Sequence, residues 1–225
     1  MSSPTWVSSL IRPVDSDDHV ALSLKQPLRL TGVAAVAVLW TTVGVGMERA
    51  GLDLTDDRAI SYLGTDPRTM ALFRGGLLVA TVLLVGFARA VDQRLARRTG
   101  FLVVFLVGMA GQAVVATVSI AGHGASRVVH TTAGIVLGLS LPLLMWRFAA
   151  GQAPGRWRRQ SYALMWLEVA GCIVGIALSQ ARRAAVAEVV PACVFHLWII
   201  VVTVRWPAWR QATAGPAPVV PARSS

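Results

Sequence analysis

This chain has too few cysteines, histidines and carboxylates to build most reaction centres. Its 225 residues hold 2 Cys, 4 His and 11 Asp plus Glu. Cys172 and Cys193 form no CxxC pair and no metal-spaced cluster, so they read as small apolar residues in helix packing. A zinc centre needs three or four converging ligands, yet no HExxH, HxxxD or paired-histidine spacing occurs in the apolar segments. A Ser–His–Asp arrangement lacks any nucleophile-elbow context. These absences lead away from an enzyme, and neither a metal nor an organic cofactor is expected. A cleavable signal peptide is also missing, because residues 1–29 include Pro4, Asp15, Asp17 and Asp18 and no apolar core.

What the chain has in abundance is apolar sequence. The hydrophobic fraction is 55 %, gathered into six stretches separated by arginine-rich connectors. They run over 30–47, 69–88, 99–122, 128–146, 160–179 and 189–204. A helix rises about 1.5 Å per residue, so crossing a hydrocarbon core of about 30 Å takes roughly 20 residues. Four stretches reach that length and the first and last fall slightly short. The stretches are apolar all round, without the polar face of a soluble helix. The fold expected is an all-α, six-transmembrane-helix bundle over residues 30–205. Residues 1–29 form a partly disordered N-terminal segment, and 206–225 a disordered proline-containing tail.

The formal charge of +10 would suit a nucleic-acid partner, but the basic residues sit at the ends of apolar spans. There they set orientation and meet anionic headgroups. Fourteen Lys and Arg fall on one side: Arg12, Lys25 and Arg29; Arg89, Arg94, Arg97 and Arg98; Arg147, Arg156, Arg158 and Arg159; and Arg205, Arg210 and Arg223. Six fall on the other: Arg49, Arg58, Arg68, Arg127, Arg182 and Arg183. The positive-inside rule then puts both termini in the cytoplasm of a multi-pass cell-membrane protein. The partners expected are membrane lipids, with a second copy or another membrane protein left open.

The first outer connector, 48–68, is the longest. Its middle, Ala59-Ile60-Ser61-Tyr62-Leu63-Gly64, is apolar enough for a short helix on the membrane surface, with Tyr62 at the interface. Asp66 and Pro67 read as N-cap and first residue of the second span. The other outer connectors are short, so spans three and four, and five and six, form hairpins. Gly134 with Gly138, and Gly171 with Gly175, have the four-residue spacing of close helix contacts. Pro142 predicts a kink. No internal duplication supports an inverted-repeat transporter.

Ionisable residues inside spans are costly and become functional candidates. Asp66, Arg74, Gln112 and His130 form a candidate outer polar cluster suited to a phosphate headgroup. Glu168 and His196 each lie about 12 Å from the cytoplasmic side, on the two arms of one hairpin. They form a candidate midplane pair, either a clasp between helices or a proton relay. The leading function is therefore non-enzymatic lipid binding or membrane organisation. The alternatives are a small proton-coupled transporter using Glu168 and His196, and a lipid-modifying enzyme.

Two segments carry a family resemblance. Ser61-Tyr62-Leu63-Gly64, followed by Pro67 and Ala71-Leu72-Phe73, resembles the first-loop signature of domain-of-unknown-function family 998. His130, after a glycine-containing turn and before a small-residue span ending in Pro142, resembles that family's later histidine segment. Many members carry Phe-Asn where this chain has Phe73-Arg74. The resemblance implies a six-helix integral membrane protein. More distantly it is similar to the DRAM/Sfk type, associated with lipid organisation.

Overall fold

In the computed structural model, residues 16–213 are described, with side chains at 28 and 30–205. Of the two ends expected to be disordered, 1–15 and 214–225 lie outside these residues, while 16–29 and 206–213 belong to the first and last helices. Six α-helices and one short 3-10 helix follow in order. They are α1 (Ser16–Ala50), η1 (Ile60–Gly64), α2 (Met70–Asp92), α3 (Phe101–Thr117), α4 (Ala125–Gly151), α5 (Arg156–Gln180) and α6 (Ala184–Thr213). Each helix packs on the next, and α6 returns to α1, so the six close into a ring.

Five helices contain segments long and apolar enough to cross a membrane: Leu30–Ala50, Met70–Asp92, Ala125–Gly151, Arg156–Gln180 and Ala184–Arg205. The first and last are thus longer than the sequence suggested, and α3 is the short member. Its 17 residues rise about 26 Å. The span expected to reach residue 122 stops at Thr117 because Val118 is extended and Ser119–Gly122 turns. The α3–α4 and α5–α6 hairpins form as expected, and α4 runs through Pro142 without a break.

The centre of the ring is filled by aromatic side chains. Trp198 is fully buried, stacked on Phe195 at 5.7 Å and edge-on to Phe148 at 5.2 Å and Phe87 at 6.1 Å. Phe101 lies tilted against it at 6.4 Å. One indole on α6 therefore touches α2, α3 and α4.

Close approach depends on glycine, though only partly on the pairs marked in the sequence. A Cβ on Gly175 would stand 2.7 Å from Ala187 O, and Gly171 faces Val194 and Pro191, so α5 and α6 meet backbone to backbone. Gly134 and Gly138 have open space instead. The contacts missed by spacing are Gly76 against Thr42, Gly108 against Ser140, and Gly111, where a Cβ would lie 2.9 Å from Ala133 O. Replacing Gly175 with Val should destabilise the bundle by about 1–3 kcal/mol through overpacking. Gly134→Ala should change it by less than about 0.5 kcal/mol. Reversible unfolding in mixed detergent measures both.

Candidate functional site

At the end of the bundle that carries the 51–69 connector, the structure gives each cluster residue its own neighbour. Asp66 accepts the Arg68 amide at 2.9 Å and pairs with its guanidinium at 2.7 Å. This turn delays the helix, so α2 begins at Met70 with Thr69 as N-cap, in place of the Asp66 and Pro67 start read from sequence. The Arg68 hydrogen bonds hold the Asp66 carboxyl below the usual carboxylate range. Gln112 is buried and donates to Thr81 Oγ1 at 2.9 Å and Leu77 O at 3.3 Å, joining α3 to α2. His130 is buried with Nδ1 2.7 Å from Val118 O, which covers the carbonyl where α3 stops. Arg74 is half-buried and makes no hydrogen bond or ion pair with another described residue.

The connector itself is folded more tightly than a surface helix would be. Ile60, Ser61, Leu63 and Gly64 of η1 are buried against the bundle, and only Tyr62 faces outward. The apolar Ile60 and Leu63 favour the ring's mouth over the membrane surface, where only one side would be dry. Gly46 makes room for Leu63, and Thr69 Oγ1 donates to Leu63 O at 2.8 Å. A residue outside the sequence-based candidates fastens this cap. Glu188, in the first turns of α6, accepts the Ser61 amide at 3.1 Å and the Ser61 hydroxyl at 3.2 Å. Glu188 is exposed as a residue, while its carboxylate is engaged. The signal was present, since Glu188 stands one residue before the sixth apolar stretch. Nothing in the spacing linked it to Ser61, 127 residues earlier.

In the interior, Glu168 and His196 are both buried, but no hydrogen bond or ion pair joins them. Glu168 Oε1 receives only the Cys172 thiol, at 3.6 Å, and Oε2 has no partner. The His196 ring lies edge-on to Trp40 of α1 at 5.6 Å, with Nδ1 unpartnered. Among the described residues no three His, Cys, Asp or Glu side chains gather as a metal site would require.

The opposite end is dominated by arginine and aromatic rings. Arg205 lies 5.0 Å over Trp157, Arg147 4.7 Å over Trp146, and Arg158 5.8 Å over Tyr162. Arg147 also exchanges hydrogen bonds with Thr99, tying α4 to the start of α3. A shallow groove of about 310 Å³ opens between Pro154, Gly155, Arg158, Arg159 and Tyr162. A smaller one at the other end, about 290 Å³, is lined by Gly124, Arg127, Val128, Thr131 and Thr132.

A closed ring of apolar helices with most of its arginines at its ends is the architecture of a polytopic membrane protein. A family model described as "Protein of unknown function (DUF998)" matches residues 31–205, which spans the whole ring. The chain belongs to that family, as the Ser61–Gly64 and His130 segments suggested. No curated protein and no solved structure matches it.

Two outcomes test the cap. Glu188→Ala leaves the Ser61 amide and hydroxyl without an acceptor and should loosen η1 by about 1–3 kcal/mol. Faster hydrogen exchange at residues 60–64, with the helices unchanged, is the readout. Acid provides the second. Hydrogen bonds from Thr55, Arg58 and Arg68 hold Asp53, Asp56 and Asp66 below the usual carboxylate range. Their contribution is present above the ordinary carboxylate pKa and is lost as pH falls through the depressed values. Exchange protection in 53–68 should therefore fall in strong acid before that of α2.

Proposed function

We propose that this protein is a non-enzymatic membrane protein that binds anionic phospholipid headgroups at its arginine-rich end. The observation that carries this reading is the groove at the start of α5, where Arg158 and Arg159 flank Gly155 and Tyr162. Gly155 provides no side-chain cap, and the first intrahelical amide bond is Arg159 N to Gly155 O. The Arg156, Trp157 and Arg158 amides therefore have no acceptor within the helix. A phosphate in the groove would accept from this helix start and from two guanidinium groups. Tyr162 suits the headgroup level, where an apolar ring meets a wet edge.

The outer cluster offers less to a phosphate. Asp66, Gln112 and His130 already have protein partners, which leaves Arg74 as its one uncommitted cation. The positive-inside reading of the arginine count supports a cytoplasmic headgroup-binding end, with both termini on that side. Each cation near an anionic surface contributes about 1 kcal/mol. The Arg158→Ala/Arg159→Ala double variant should thus bind phosphatidylglycerol about thirtyfold more weakly, while phosphatidylcholine binding stays level. Native mass spectrometry from nanodiscs of each lipid measures this. Equal retention of phosphatidylglycerol by variant and wild type overturns the site, and a C-terminal reporter active only outside the cytoplasm overturns the orientation.

A further inference from the structure

α4 and α5 touch at one end and part at the other. Phe148 of α4 meets Trp157 of α5 at 6.2 Å, near the short connector that joins the two helices. Counting away from that contact along both antiparallel helices sets Gly138 and Gly134 of α4 level, within one residue, with Glu168 and Cys172 of α5. Positions seven or eleven apart share a helix face, so Met145, Gly138 and Gly134 form one stripe, and Met165, Cys172 and Ile176 another. α3 packs against Ala133, Leu137 and Ser140 of α4, and α6 packs against Gly171 and Gly175 of α5. Each stripe lies about 100–115° round its helix from those contacts, which in a ring of six helices is the direction of the other neighbour. The two stripes therefore face each other. Both are buried toward the connector, at Met145 and Met165, and open at the far end, where Gly134 and Ile176 are exposed. A Cβ on Gly138 or Gly134 would meet nothing within 4 Å. These glycines serve no helix contact and instead leave a cleft between α4 and α5. Thr131 and Arg127 continue the α4 stripe to the groove at the mouth of this cleft.

Glu168 stands where the cleft closes. It is fully buried, and Oε1 lies 3.6 Å from the thiol of Cys172, one turn toward the open end. The carboxyl thus leans along the stripe. Its Oε2 has no partner, which is rare for a buried acceptor. Cys172 is half-buried, so a molecule entering the cleft meets that thiol and then the carboxyl. A carboxylate in hydrocarbon needs an opposite charge that carries a hydrogen-bond donor, and an apolar cleft suits such a charge on an apolar body. A phospholipid tail would fill the cleft but offers no donor. An ammonium group bearing apolar substituents supplies both.

We propose that the α4–α5 cleft binds a lipophilic amine, held by an ion pair between its ammonium group and Glu168. An ammonium N–H donates to Oε2, and the apolar substituents lie against Gly134, Gly138 and Ile176. Arg127, at the mouth, repels a cation arriving from water, so the amine enters sideways from the lipid. The site is separate from the arginine groove at the start of α5, and neither depends on the other.

Equilibrium dialysis of tritiated N-benzyldodecylamine against the full chain in dodecylmaltoside, with empty micelles as reference, tests this. Wild type should take up the amine in excess of the micelles. Glu168→Gln keeps the shape and removes the charge, and should bind about thirtyfold more weakly. Gly138→Leu fills the cleft where the backbone has open space around it, so the ring still folds, and it should abolish the excess. The Arg158→Ala/Arg159→Ala variant should bind the amine as wild type does, which separates this site from the phospholipid groove. Benzyl dodecyl ether has the same apolar body without the ammonium group and should not compete. Equal uptake by Glu168→Gln and wild type overturns the ion pair, and uptake indifferent to Gly138→Leu overturns the cleft. Full competition by the ether overturns the choice of an amine.

Discussion

A ring of six helices leaves a space along its axis, and the protein fills it with aromatic rings gathered around one indole. Trp198 meets rings from α2, α3, α4 and its own helix, so the positions of four helices depend on a single side chain. Hydrophobicity does not draw helices together in lipid, because the tails are as apolar as the side chains. Shape must do so. The aromatic centre gives the ring its inner surface, and the glycines at 76, 108, 111 and 175 let neighbouring helices close around it.

The polar residues can be understood from that geometry. Gln112 and His130 repair backbone or bridge helices where the ring would otherwise carry open carbonyls. Glu188 and Ser61 hold a short helix over one mouth. At the other end arginines rest on aromatic rings at the ends of the spans. Glu168 differs from all of these. Its carboxyl serves neither a helix end nor a connector, and it is buried on α5 with the Cys172 thiol at 3.6 Å.

Much of the architecture was legible in the one-dimensional pattern. Apolar runs bounded by arginine marked the helices, and short connectors marked the α3–α4 and α5–α6 hairpins. Lengths were less legible, because hydropathy does not record where hydrogen bonding stops. The third apolar run continues past Thr117, while Val118 leaves the helix and offers its carbonyl to His130. The candidate residues Asp66, Arg74, Gln112, His130, Glu168 and His196 could be found as polar interruptions. Their partners could not, since Gln112 reaches Thr81 across 31 residues and Ser61 reaches Glu188 across 127.

The sequence by itself determined that the chain crosses a membrane, because burying some twenty apolar residues in a helix needs no partner but lipid. It also determined which few side chains would be costly there. Only the tertiary structure decided whom those side chains meet. Around a helix, neighbours are fixed by the angle at which two faces touch. For α5 and α6 that angle is set at Gly171 and Gly175, and it turns His196 towards Trp40 of α1 rather than towards Glu168.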